Sequence, residues 1–219
     1  WRTPVTRMAE FITVVALSVG AIMPIIDMGR PERALNIILF GRWQSPIIWD
    51  IISITTYLTG SIIYLYLPLI PDLALCRDRL GREAPAWKRR FYQIASIGWQ
   101  GTARQRKSLR IAMGCMMIII IPVAVSVHTV VSWIFAMTLR DAWNSTIFGA
   151  YFVAGAIFSG IAAIILVMAI LRKAFRLEAY ITEKHFINLA YMMGGFTLIM
   201  LYFNASEYIV TGYKMAGEA

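Results

Sequence analysis

The sequence is poor in the residues that would hold a redox cofactor. It has two cysteines, Cys76 and Cys115, and two histidines, in 219 residues. A cysteine-ligated iron–sulfur cluster takes about four thiolates, so this chain holds none by itself, and two isolated cysteines make no disulfide framework. Charge is scarce as well: 15% of residues are charged, against roughly a quarter in soluble domains. No aromatic-interleaved basic domain is present to bind nucleic acid. No repeat period or low-complexity tract stands out, and no signal peptide with a cleavage site is evident.

Apolar residues fill the space, at 59% of the chain, in blocks too long for a soluble core. Five blocks can cross ~30 Å of hydrocarbon at ~1.5 Å per residue. They predict helices near 9–26, 47–70, 111–131, 147–171 and 187–211. The expected fold is all-α, a polytopic transmembrane bundle of about five spans forming one unit over 1–219. The short apolar stretch 34–40 cannot span and is expected at the interface. A long basic loop, 71–110, joins the second and third spans. Trp1, Trp43, Trp49, Trp99, Trp133 and Trp143 fall near expected interfaces and read as an aromatic belt.

The net charge is +9, and its distribution orients the bundle. With loop 71–110 in the cytoplasm, sixteen Lys and Arg lie inside and five outside, as the positive-inside rule requires. Ionisable groups at membrane depth are costly, so each is a candidate site. Asp27, Asp50, His128 and Glu207 all fall in the outer leaflet under this topology; Glu10 falls near the cytoplasmic edge. Histidine titrates near neutrality, and carboxyls relay protons. The four groups are therefore expected to form a proton-exchange or quinone-adjacent cluster. The plain alternatives are carboxylates at the water interface and a histidine bonded to a neighbouring helix. Hydroxyls crowd the second span (Ser53, Thr55, Thr56, Tyr57, Thr59, Ser61), either lining a water chain or, as the favoured reading, bonding back to the backbone. Gly60, Gly155 and Gly160 are expected to permit close helix packing. A proton path from Glu10 through these hydroxyls to the outer cluster is a subordinate idea. His128 and His185 fall on opposite sides of the membrane, so they would not share a haem, and no metal site is expected.

The string DMGRPER, Asp27 to Arg33, resembles the D-L-G-R-P-x-R element of the NrfD/PsrC family of polysulfide-reductase-type membrane subunits. The likeness continues through Ser45–Asp50, LIPDLALCRDR (Leu69–Arg79), IGWQGTARQ (Ile97–Gln105), SVHTVVSWIFA (Ser126–Ala136), STIFGAYFVAGAIFSG (Ser145–Gly160) and YITEKHF (Tyr180–Phe186). These later strings are similar to the ActC and ActF membrane subunits of alternative complex III. Asp27 stands where ActC has a histidine, and Ile134 where it has an aspartate, so the chain looks more like ActF. The resemblance implies part of an eight-to-ten-span fold in a bacterial inner membrane. It implies a subunit without its own redox cofactor in a complex that oxidises quinol, menaquinol in many members. Its partners would be a homologous membrane subunit, a periplasmic iron–sulfur protein and haem-c subunits. Arg30 would orient Asp27 or contact quinone or a partner. A cofactor-free structural anchor and, less favoured, a secondary transporter are the competing readings.

Overall fold

The computed structural model describes residues 2–27, 29–81, 84–137 and 147–215. Among them the secondary structure is helical throughout, with no strand. The elements are α1 (Arg2–Gly20), α2 (Met23–Asp27), a 3-10 turn (Pro31–Arg33), α3 (Ala34–Leu39), α4 (Pro46–Arg79), α5 (Ala86–Ala95), α6 (Ala103–Ala136), α7 (Phe148–Ala174) and α8 (Glu183–Met215). Five helical segments are long and apolar enough to cross a membrane: Pro4–Ile26, α4, α6, α7 and Glu183–Tyr213. The protein is a multi-pass membrane bundle.

The first span is broken into α1 and α2. Pro24 lacks an N–H and its ring crowds the Gly20 carbonyl. Here, with Gly20 itself ending α1, the helix breaks, whereas α4 and α6 continue through Pro68, Pro71 and Pro122. The Ala21 and Ile22 amides close the break on Leu17 and Val19 carbonyls, at 2.8 and 3.1 Å. Both α4 and α6 have 34 residues, or ~51 Å of rise, well beyond the ~30 Å of hydrocarbon. Their basic ends therefore extend out of the apolar windows read from the sequence. Backbone hydrogen bonding continues the helix after hydropathy has fallen.

α4 and α6 form the spine; α7 packs on α6 and α1, α8 packs on α7, and α1 packs on α4. Gly60 allows the spine to close: a Cβ there would lie 3.3 Å from Ile120 Cδ1. A Cβ on Gly155 would lie in ordinary contact, 3.7 Å from Met200 Cε, and Gly160 faces open space, so the close packing expected of the three glycines is found at Gly60 alone. The tightest apolar core, Ile161, Met168, Ile181 and Leu189, joins α7 to the start of α8. The rest of the exterior remains apolar. In a bilayer the lipid tails solvate it as well as a protein core would.

The loop 71–110 contains more order than its polarity suggests. α5 places Trp87, Phe91 and Ile94 at i, i+4 and i+7, all exposed, the stripe of a helix lying in an interface. Tyr66 of α4 donates to the Ala95 carbonyl at 2.5 Å. The Arg77 guanidinium donates to Ser96 Oγ at 3.0 Å and to the Trp99 carbonyl at 2.9 Å. Ser96 is fully buried. The backbone then turns through Ile97, Gly98 and Gly101 at positive φ into α6. There Thr102 Oγ1 accepts from the Gln105 amide at 3.2 Å, and Gln105 Oε1 accepts from the Thr102 and Gln100 amides. This capping box explains the TARQ of the string IGWQGTARQ.

Thr102→Ala should cost about 1 kcal/mol, the usual loss for a missing N-cap, while Thr102→Ser should cost far less. Chemical denaturation of the detergent-solubilised protein, followed by circular dichroism, measures the difference.

Candidate functional site

The polar groups at depth divide into two regions, and the dividing residue is Tyr57. On one side of it, a cavity of about 210 Å³ lies between α1, α4 and α6. It is lined by Thr6, Glu10 and Thr13 of α1, by Tyr57, Ser61 and Tyr64 of α4, and by Ile120, Ile121 and Ala124 of α6. Glu10 is only 7% exposed and its Oε2 has no hydrogen-bond partner. Ser61, 4% exposed, has an equally unpartnered Oγ. An unpartnered carboxyl and hydroxyl at one cavity wall are costly in a membrane unless something visits them.

Arg7 stands one turn before Glu10 on α1, outside the lining of this cavity. Arg7 Nη2 donates to the Pro68 carbonyl at 3.1 Å and lies 3.6 Å from Asp72 Oδ2. Its Nη1 is buried without a partner. Arg7 is within electrostatic reach of Glu10, and Glu10 of Tyr64.

The Tyr57 wall of the cavity meets His128. The Tyr57 and His128 rings meet edge-to-face with centroids 6.3 Å apart. His128 Nδ1 lies 2.7 Å from the Ala124 carbonyl. A carbonyl only accepts, so Nδ1 carries the proton and donates, leaving Nε2 of the neutral ring as the acceptor. The plain reading expected a bond to a neighbouring helix; His128 instead bonds to the preceding turn of its own helix, and that bond sets the tautomer.

The structure thus places His128 next to the Glu10 cavity. Asp50 is buried, 8% exposed, with an unpartnered Oδ1. It sits seven residues before Tyr57 on α4, or ~10.5 Å along the axis. Glu207 is half-buried on α8, the helix that packs against α7. The side chain of Asp27 lies outside the described residues, as do Trp1 and Trp143. Arg30 is exposed, immediately after Gly29 at φ 69° and before Pro31, the first residue of the 3-10 turn. The string G-R-P is therefore a backbone device: glycine accepts the left-handed turn and proline starts the helix that follows.

The hydroxyls of α4 resolve into both expected kinds. Ser53 donates to the Trp49 carbonyl at 2.5 Å and Thr56 to the Ile52 carbonyl at 2.7 Å, the back-bonding arrangement. Tyr57 and Ser61 face the cavity instead. Tyr64 joins them, a residue that hydropathy and motif do not single out. Its signal is positional: 57, 61 and 64 follow the i, i+4, i+7 spacing of one helix face.

His185 serves α8 locally. The Thr182 amide donates to its Nδ1 at 3.0 Å, and its own amide donates to the Thr182 carbonyl at 3.1 Å, which caps the helix. It stands at the opposite end of the bundle from His128. Among the described residues no group of three or more His, Cys, Asp or Glu is placed to hold a metal ion.

The chain is similar to a protein from Halobacterium salinarum named as a putative dimethyl sulfoxide reductase membrane subunit, 27% identical over 204 residues. The match covers 92% of this chain and 43% of that protein, so the chain spans less than half the length of this curated relative. The model of the family "Polysulphide reductase, NrfD" matches residues 2–217. A bundle of apolar helices with the DMGRPER turn and this family match across nearly its whole length belongs to the NrfD polysulphide reductase family.

Proposed function

We propose that the chain is the quinone-side membrane subunit of a respiratory or photosynthetic electron-transfer complex, of the alternative complex III kind, in a bacterial inner membrane. Its part in the reaction is proton transfer. Quinol, menaquinol for preference, would be the substrate. The iron–sulfur clusters and haems c would belong to partner subunits, a homologous membrane subunit among the neighbours. The dimethyl sulfoxide reductase name of the relative points to the same class of membrane-bound oxidoreductase.

One observation carries the proton reading. The buried, unpartnered Glu10 carboxyl lines a cavity whose far wall, Tyr57, touches His128. A proton taken up near the Arg7–Asp72 pair would pass to Glu10. It would cross the cavity by water held between Ser61, Tyr64 and Tyr57, and reach Nε2 of His128. The cavity can hold several waters, and its hydroxyls supply the two to four polar partners that each one needs. Beyond His128, the proposed quinone-adjacent cluster comprises Asp50, Asp27 and Glu207, with Arg30 at its rim. Oxidation of quinol to quinone releases two electrons and two protons. The electrons leave to the partner's clusters. Asp50 is the proposed first acceptor of the quinol protons, which leave to the outer side by way of Asp27 and Glu207, and His128 carries the separate proton that arrives from Glu10.

The first test is Glu10→Gln in the assembled complex, reconstituted in vesicles. Quinol oxidation coupled to proton movement should slow by about tenfold or more, within the usual worth of a positioned acid–base group, with the KM for quinol unchanged. Glu10→Gln complexes that move protons at the wild-type rate would remove Glu10 from the path.

The second test concerns the quinone end. Asp50→Asn and His128→Gln should each lower quinol oxidation and proton release together, by about tenfold or more. A structure of the complex with quinol added should show head-group density near them. Unchanged rates, with quinol bound on a homologous neighbour, would leave this chain as an anchor.

A further inference from the structure

A second hollow lies at the basic end of the spine, outside the Glu10 region. It is a groove of about 570 Å³ lined by Pro71 of α4, by Trp99 and Gly101 of the link, and by Arg106, Leu109, Arg110 and Met113 of α6. Its volume is within the ~300–1,000 Å³ of small-molecule sites. We propose that this groove binds one anionic phospholipid, with the headgroup phosphate on Arg106 and Arg110 and an acyl chain along Leu109 and Met113.

Three observations select this occupant. Arg106 and Arg110 are one turn apart on the same helix face, exposed, and no ion pair is described for either. The two carboxylates nearest on α4 are already engaged: Asp72 with Arg7 at 3.6 Å and Asp78 with Arg77 at 2.8 Å. The groove therefore carries two cationic charges that nothing in the described protein neutralises.

The second observation is depth. Arg110 is the last Lys, Arg, Asp or Glu before an uncharged run from Ile111 to Leu139. Arginine at that level marks the headgroup layer, and Met113, one turn deeper, lies at the hydrocarbon edge. Trp99, half-buried on the groove wall, is an interfacial residue by chemistry. The third observation is the floor. Pro71, Leu109 and Met113 offer apolar contact that a free inorganic anion cannot use. A soluble acidic peptide would have to enter the acyl layer to reach it. A phospholipid brings the phosphate and the chain in one molecule.

The surroundings hold the groove in shape. Arg77 fixes the Trp99 carbonyl to the end of α4, and the Thr102–Gln105 box fixes the start of α6. The two walls are thus tied together independently of any ligand. This site is expected to favour phosphatidylglycerol over phosphatidylcholine, since both share a phosphate but only the former carries net negative charge.

The test uses the full chain in a nonionic detergent, with phosphatidylglycerol or phosphatidylcholine added at equal concentration and adducts counted by native mass spectrometry. The wild type should retain phosphatidylglycerol about tenfold better, the order expected for one to two basic contacts at a membrane surface. Arg106→Gln/Arg110→Gln should abolish that preference. Arg104→Gln/Lys107→Gln, which removes the same charge from residues off the groove, should keep it. Equal loss in both double variants would reduce the effect to diffuse charge and overturn the site. So would displacement of the lipid by millimolar inorganic phosphate, which marks a free-anion site, or the absence of any preference in the wild type, which needs no variant to fold.

Discussion

Hydrocarbon offers no hydrogen bonds, and that one constraint organises the whole molecule. Every backbone N–H and C=O within the bilayer must be satisfied inside its own helix, which is why the five membrane-crossing segments are helical. The same constraint makes each exception informative. At Pro24 the helix stops and neighbouring amides close the turn, while α4 and α6 absorb Pro68, Pro71 and Pro122 without stopping. Where a hydroxyl lies at depth, as at Ser53 and Thr56, it bonds to the preceding turn. Among the described residues the buried side-chain atoms that escape this rule are Arg7 Nη1, Glu10 Oε2, Asp50 Oδ1, Ser61 Oγ and His185 Nε2; Glu10 and Ser61 are the two that line one cavity.

Fold class was legible because span length and apolar composition depend only on the chain itself. Depth was legible for the same reason: counting residues from a helix end places Asp50, His128 and Glu207 along the membrane normal. Azimuth was not. Whether His128 belongs with Asp50 or with Glu10 depends on which helices neighbour one another and how each is rotated. In the structure Tyr57 lines the Glu10 cavity and meets the His128 ring edge-to-face, a neighbourhood only the fold reveals. Glu10 was linked to the second-span hydroxyls only as a subordinate idea, because Ser61 and Tyr64 come from a helix that joins it in space but not in sequence.

The basic loop shows the converse. Hydropathy could not find α5, since a helix with Lys88, Arg89 and Arg90 beside Trp87 and Phe91 averages out as polar. Its order comes from long-range ties, Tyr66 to Ala95 and Arg77 to Ser96 and Trp99, and no window along the chain contains both partners. The strings behind the family resemblance were readable as strings long before their physics was. GRP is a turn that starts a short helix, TARQ is a capping box, and YITEKHF carries a histidine cap. Each of these strings serves backbone geometry here, so they report the fold more directly than the chemistry.

The proposed proton route rests instead on Arg7. A carboxyl at the depth of Glu10 needs either a partner or a supply of protons. A full ion pair with Arg7 would give it the partner and end its usefulness as a carrier. Arg7 is instead engaged by the Pro68 carbonyl and, at 3.6 Å, by Asp72, with exposure rising from the buried Nη1 to the water-facing Asp72 carboxylate. This leaves its charge close enough to act on Glu10 but directed to the membrane edge. The cost of the arrangement is an unpartnered oxygen in the membrane interior. The proposed route gives that cost a purpose, because a carboxyl already bonded on both oxygens could neither receive a proton from the edge nor pass it to the cavity.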